Sequence, residues 1–248
     1  MVTIYFSGTG NTQYIAQQFS MKMGAKCFSI EEKMDFNSVF EEEESITVCY
    51  PIYGSLVPRI MREFIEEHKE VLVYKKWIIL CTQMMFSGDG AKAFTRLLNI
   101  DDQDVLYAEH FNMPNNICNF FLFPIRDSEK KRKVKVANSK LDKVCQNIKC
   151  GIIKKRGWGK FSGILGKMQN RDFPKIEQKK KNSFACDEDC NRCGLCVRVC
   201  PVGNLSMTNQ GIAQADNCIL CYRCVNRCPQ KAATVMLHVK PKRQYLFR

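Results

Sequence analysis

Cys190, Cys193, Cys196 and Cys200 stand in the order C-x2-C-x2-C-x3-C with Pro201 directly after, and Cys218, Cys221, Cys224 and Cys228 repeat that order with Pro229 after. Gaps of two residues let three thiolates of one tight loop converge on three corners of a cube of iron and sulfide, while the fourth corner needs a more distant ligand. The duplicated run therefore predicts two [4Fe–4S] clusters and one-electron chemistry. Zinc is disfavoured by ligand count: a tetrahedral site takes four ligands, usually as two separated pairs, and has no place for a third cysteine at the same short spacing. Cys186 extends neither run and reads as a spare thiol, with the role of alternative ligand as the other reading.

A second chemistry-bearing stretch lies near the start, where Ser7, Gly8, Thr9, Gly10, Asn11 and Thr12 follow an apolar strand pattern and run into a helical one. Hydroxyls and glycine amides at a helix N-terminus form a neutral phosphate cradle, because backbone N–H groups point outward there and the helix dipole favours negative charge. The loop has no lysine and lacks the G-K-[ST] ending of a nucleoside-triphosphate loop. Its spacing also misses the G-x-G-x-x-G of dinucleotide sites.

Alternating strands and helices must position that loop. Residues 2–6, 46–50, 77–81 and 105–113 are apolar and read as strands. Between them Ile15, Ala16, Phe19 and Met23, then Ile60, Phe64 and Ile65, and then residues 91–98 recur at helical spacing. Ser128 reads as the N-cap of a long helix with Val134, Ala137, Leu141, Val144 and Ile148 in one apolar stripe. This order predicts a parallel sheet covered on both faces. From 151 to 183 the pattern dissolves into Gly157, Gly159, Gly163, Gly166 and lysines, which reads as a basic linker. Trp158, Phe161, Ile164, Leu165 and Met168 within it leave open a segment lying on a membrane surface. The expected organisation is 1–150, linker 151–183 and cysteine module 184–248.

The cysteine module closely resembles two-cluster ferredoxins, in which the fourth cysteine of each run crosses to the other cluster. That resemblance implies one cluster on Cys190, Cys193, Cys196 and Cys228, and the other on Cys218, Cys221, Cys224 and Cys200. The S-G-T-G-N-T loop resembles that of flavodoxins and implies FMN, its phosphate held by Ser7, Thr9, Gly10, Asn11 and Thr12. In a flavodoxin-like sheet the ligand sits outside the carboxyl ends of the strands. Pro51, Ile52, Tyr53 and Gly54 are then expected along one side of the flavin ring, and the 82–90 loop, with Thr82, Phe86, Gly88 and Gly90, along the other. This second loop lacks the tyrosine that flavodoxins place there. Met113, Pro114, Asn115 and Asn116, together with both modules in one chain, resemble the bacterial and archaeal flavodoxin–ferredoxin fusions called EFR1 family ferredoxins. The implied class is α/β: a flavodoxin-like doubly wound parallel sheet with a small C-terminal two-[4Fe–4S] domain, the two modules loading their cofactors independently.

The formal charge of +13 is uneven: residues 1–125 net −6, 126–181 net +14 and 182–248 net +5. It therefore does not describe a uniformly basic nucleic-acid binder, and the basic stretch has no identifiable reading element. No apolar run reaches the roughly 18 to 20 residues of a membrane span, no secretory leader is expected from the first residues, and of 15 cysteines nine fall between Cys186 and Cys228, where they recur at metal-ligand rather than disulfide-loop spacing, which favours a reducing cytoplasm. Cys49 and Cys81 read as core thiols, Cys118 as a thiol beside the flavin-side loop, and His68, His110 and His238 as unclustered. Arg192, Arg198, Arg223 and Arg227 lie near the cysteines, where positive charge would tune a cluster. Flavin takes electrons singly or in pairs and a cluster passes one at a time. Two functions follow. The chain is an electron carrier docking on acidic redox proteins such as ferredoxins, or it is a flavin-dependent reductase of a small organic acceptor fed through the clusters.

Overall fold

The computed structural model describes residues 1–86, 88–119 and 126–247. Ser87 of the expected ring loop lies outside them. The first strand, β1 (Val2–Tyr5), is buried along its whole length and leads through the 7–10 turn into α1 (Asn11–Met23). Gly10 enters that helix at φ +100° and Gly24 ends it at φ +67°, left-handed conformations that glycine adopts without a Cβ clash. Next come β2 (Lys26–Ser29) and α2 (Phe36–Glu41), the latter capped by Asp35, whose carboxylate accepts from the amides of Asn37 and Ser38. They are followed by β3 (Ser45–Pro51), α3 (Arg59–Glu67), α4 (Lys69–Leu72), β4 (Lys76–Gln83), α5 (Lys92–Leu98), β5 (Val105–Asn112) and α6 (Asp127–Lys149).

The sheet has the order β2-β1-β3-β4-β5 with a short sixth strand, β6 (Lys154–Lys155), at its edge, and every pairing is parallel. That order is the flavodoxin-like doubly wound one, with its switch point between β1 and β3. Central strands buried on both faces need apolar residues in unbroken runs, and β3 and β4 supply them. One face packs Phe6, Phe40, Phe64, Trp77 and Phe94; the other packs Ile15, Phe19, Leu80, Tyr107, Phe111 and Leu141.

Two elements differ from the sequence reading. Ser128 lies inside the first turn of α6, which starts from an extended Arg126 with no side-chain cap. The 151–183 stretch is not structureless: after the edge strand it forms α7 (Lys160–Lys180), 21 residues long with Pro174 inside. Glycines depress helix propensity, so its periodicity was masked. Gly166 is nevertheless required, because a Cβ there would stand 1.8 Å from the Asp89 carboxylate. The outer face of α7 leaves Phe161, Ile164 and Met168 exposed.

The cysteine module contains β7 (Ala185–Cys186), α8 (Leu195–Arg198), β8 (Leu205–Thr208), β9 (Gly211–Gln214), α9 (Arg223–Arg227) and β10 (Ala233–Thr234). β7 pairs antiparallel with β10, and β8 with β9. Its core of Phe184, Leu205, Leu220, Tyr222, Val225 and Val235 is small, and six of the partly buried side chains around it are cysteines. A core this size leaves much of the cohesion to metal ligation. Ile219 and Cys221 pack into the core of the α/β domain, so the two modules share an interface.

Candidate functional site: a flavin pocket walled by an iron–sulfur loop

A cavity of about 230 Å³ opens at the carboxyl end of the sheet. The 7–12 loop forms its floor. Ser7 Oγ accepts the Gly10 amide at 3.1 Å, holding the turn shut, while Thr12 Oγ1 and Thr82 Oγ1 lie 2.7 Å apart, both buried. The first amides of α1 have no acceptor within their own helix, and the loop carries no charged side chain. Hydroxyls and amides without a cation fit a phosphate held at a helix N-terminus.

Pro51, Ile52, Tyr53, Gly54, Gln83, Met84 and the 113–117 segment make the side walls. The Tyr53 hydroxyl is buried without a partner among the described residues, and burial, reinforced by Cys221, pushes its acidity well down, so it remains a donor. Phe86, Gly88 and Gly90 are not brought to the pocket. Phe86 points into solvent, Gly88 packs on Gly166 of α7, and Gly90 lies over Ile52 with its carbonyl bonded to Tyr50 Oη. Gly10 turns its back to the cavity, against Phe247. Gly88 is held against α7, while Thr82, Gln83 and Met84 line the cavity.

Aromatic cover comes from outside the classical loops. Phe173 of α7 lies over Gly54, its ring 6.3 Å from that of Tyr53, and Leu220, Tyr222 and Met236 of the cysteine module close the remaining side. Nothing local to these residues signals a flavin contact, since they lie more than a hundred residues from the loops they complete. The peptide of Cys221 presses on the 7–12 loop so closely that a Cβ at Gly8 would stand 2.4 Å from its carbonyl oxygen. Arg223 clamps the contact, donating to the carbonyls of Ser7 (2.7 Å), Gly8 (3.2 Å) and Val199 (3.3 Å) and to both oxygens of Glu31 at 2.6 Å. Expected as a free positive charge near a cluster, Arg223 is instead neutralised by Glu31. The expectation of independently loading modules misses this joint construction.

Seven of the eight cysteines fall into two neighbourhoods, Cys200, Cys218, Cys221 and Cys224 in one and Cys190, Cys196 and Cys228 in the other. Burial pushes the Cys221 thiol up to about 12, with Cys218 and Cys200 adding to the rise, and Cys224 is raised by burial and by Cys221, Cys218 and Cys200. Cys196 is raised by burial and by Cys190 and Cys228. Cys186 belongs with this second set: burial followed by Cys190, Cys196 and Cys228 pushes it to about 12. Thiols crowded in this way ionise together only around bound cations, so the donor set fits metal centres. Among the described residues, no three His, Cys, Asp or Glu side chains converge on one ion. Cys193 is exposed, whereas Cys221 is buried against the α/β domain. Cys49 and Cys81 are fully buried core thiols, and burial raises the Cys118 thiol to about 12, leaving it protonated.

A flavodoxin-domain family model matches residues 2–120 and a 4Fe-4S dicluster-domain model matches residues 189–232. The chain is similar to several solved flavodoxins. One from the domain Archaea has 13% identity and TM-score 0.36, covering 58% of this chain and 96% of that one. Two-electron reduced Megasphaera elsdenii flavodoxin has 20% identity and TM-score 0.38, covering 56% and 99%. A Fusobacterium nucleatum flavodoxin mutant bound to flavin mononucleotide has 10% identity and TM-score 0.34, covering 58% and 95%. No curated protein matches the chain.

The fold and the two matches thus define a flavodoxin-like α/β domain joined to a 4Fe-4S dicluster domain. The protein is an electron-transfer flavo-iron–sulfur protein whose cofactors are FMN and [4Fe–4S] clusters.

Proposed function

We propose that the chain relays electrons between redox partner proteins through its two clusters and FMN, coupling one- and two-electron chemistry. The observation that carries this reading is the shared wall: the loop holding Cys218 and Cys221 also presents Leu220 and Tyr222 to the flavin pocket. In the proposed ligand sets Cys200, Cys218, Cys221 and Cys224 hold the inner cluster, and Cys190, Cys193, Cys196 and Cys228 an outer one whose Cys193 reaches solvent. The electrostatic neighbourhoods of these thiols support that crossed arrangement. Both modules in one chain, in this order, support membership of the EFR1 family ferredoxins. Fifteen free cysteines support a reducing cytoplasm, and no helix among the described residues is long and apolar enough to cross a membrane.

When bound, FMN supplies two-electron capacity. The chain's own residues bind its phosphate (Ser7, Thr9, Asn11 and Thr12), flank its ring (Tyr53 and Gly54) and exclude water from the cluster side (Leu220, Tyr222 and Met236). Because Phe173, Tyr222 and Met236 occupy the ground over the pocket where an organic acceptor would stack, the carrier reading is favoured over the reductase. Thr12→Ala is expected to weaken FMN about tenfold to a hundredfold, the range for a lost hydrogen bond to a charged group, while iron and sulfide content stay constant. Unchanged FMN retention sinks the phosphate-loop assignment.

The strongly basic 126–181 segment supports acidic partner proteins such as small ferredoxins. Reduction by such a partner is expected to slow steeply from low to physiological salt as screening shortens. A rate independent of ionic strength, followed by stopped flow, argues for a neutral docking site.

A further inference from the structure

The chain's last residues run back from the cysteine module onto the phosphate loop. Gln244 Nε2 donates to the carbonyls of Val225 (2.8 Å) and of the ligand residue Cys228 (2.6 Å), and the Tyr245 amide donates to Asn226 Oδ1 at 2.7 Å. One residue further the strap is already on the other module. Tyr245 Oη donates to Asn11 Oδ1 at 2.5 Å, and the Phe247 amide donates to Thr9 O at 2.9 Å. The Phe247 ring sits 4.3 Å from that of Tyr14 in α1, and its Cβ covers Gly10 so closely that a Cβ there would come within 2.7 Å. Lys130 Nζ lies over both rings, 5.3 Å from Tyr245 and 5.8 Å from Phe247. Asn11 is held at its other end by donating to Pro114 O at 2.9 Å. Tyr245 is 2% exposed.

We propose that Gln244–Phe247 is a positioning strap of the flavin site, which fixes the Thr9 peptide and the Asn11 side chain for phosphate and ties FMN affinity to the assembled iron–sulfur module. This rests on the reading of the 7–12 loop as the phosphate site. A loop held rigid from behind loses less freedom when its amides close on an anion. Gln244 holds the far end of the strap to the Cys224–Cys228 turn, so an ordered cluster turn and an ordered phosphate loop favour each other. Coupling of this kind is reciprocal: whatever the cluster turn adds to FMN binding, FMN returns to cluster retention.

The test uses anaerobically purified holoprotein, FMN and riboflavin affinities measured by fluorescence quenching, and three variants: Tyr245→Phe, Phe247→Ala and a chain ending at residue 243. Loss of two hydrogen bonds and a ring contact is expected to raise the FMN Kd of the shortened chain about thirtyfold. Riboflavin, which lacks the phosphate, should shift less than threefold. In the full chain FMN should slow the bleaching of iron–sulfur absorbance by a chelator, and in Tyr245→Phe that protection should shrink. Equal FMN affinity in full and shortened chains with clusters intact overturns the strap, as does an equal loss of FMN and riboflavin. If the shortened chain does not fold, the two point variants decide by the same FMN-to-riboflavin ratio. Failure of the underlying reading looks different: Thr12→Ala would leave FMN and riboflavin affinities unchanged.

Discussion

Arg223→Ala is expected to lower the stability of the holoprotein by about 3 kcal/mol, the cost of breaking a buried ion pair, and to release FMN and the inner cluster together. The guanidinium joins Glu31 of the β2–α2 connection to the carbonyls of Ser7, Gly8 and Val199. Both partners are largely shielded, with side chains 14% and 26% exposed. Alanine would leave the Glu31 carboxylate and three carbonyls facing one another at the module interface, each short of a donor. Lysine should not rescue it, because an ammonium offers a point charge where the site needs a planar fork of five donors. Flavin content, iron content and the thermal unfolding midpoint are the measurements. A variant that keeps both cofactors and melts within two or so degrees of the parent would show that the modules adhere by apolar packing alone.

The second large effect is pH dependence from one buried histidine. His110 lies within β5, and burial, opposed by Glu109 and aided by Arg156 and Lys140, holds its pKa down at about 4. Its Nε2 accepts the Ala91 amide at 3.2 Å, so the neutral ring is the one that fits. A histidine whose folded pKa lies below the unfolded value contributes its stability in full above about 6.5. As pH falls below that the unfolded chain takes a proton and the folded one does not, so stability declines until about pH 4. Between pH 8 and pH 5 the expected loss is about 2 kcal/mol at roughly 1.4 kcal/mol per pKa unit. His110→Gln, which keeps an acceptor for Ala91, should be flatter by that amount in denaturant titrations. Glu109 does not enter this window. Burial raises its pKa, but Lys140 and Lys154 outweigh the burial and lower it, so its contribution fades only in stronger acid. Parallel profiles for the parent and His110→Gln would mean that His110 is protonated in the fold.

Much of the chemistry was legible in the primary structure because it is carried by local spacing. A C-x2-C-x2-C loop needs nothing from the rest of the chain to present three thiols, and the S-G-T-G-N-T turn is shaped by its own glycines and the helix it starts. The strands 2–6, 46–50, 77–81 and 105–113 were readable because central parallel strands are apolar without interruption. β2 (Lys26–Ser29) was missed because an edge strand has one exposed side, and α2 because six residues carry too little periodicity. α7 was hidden by its glycines, of which Gly166 serves close packing on Asp89.

Residue types at fixed offsets, with the resemblance to ferredoxins and flavodoxins that they carry, were enough to expect iron–sulfur clusters and FMN in this protein, since both motifs are short segments whose geometry is local. What closes the flavin pocket was decided by the tertiary structure alone. Phe173, Leu220, Tyr222 and Met236 line it beside residues more than a hundred positions away in the chain, and contacts at that range come from packing two modules on one interface, which leaves no periodic mark in either.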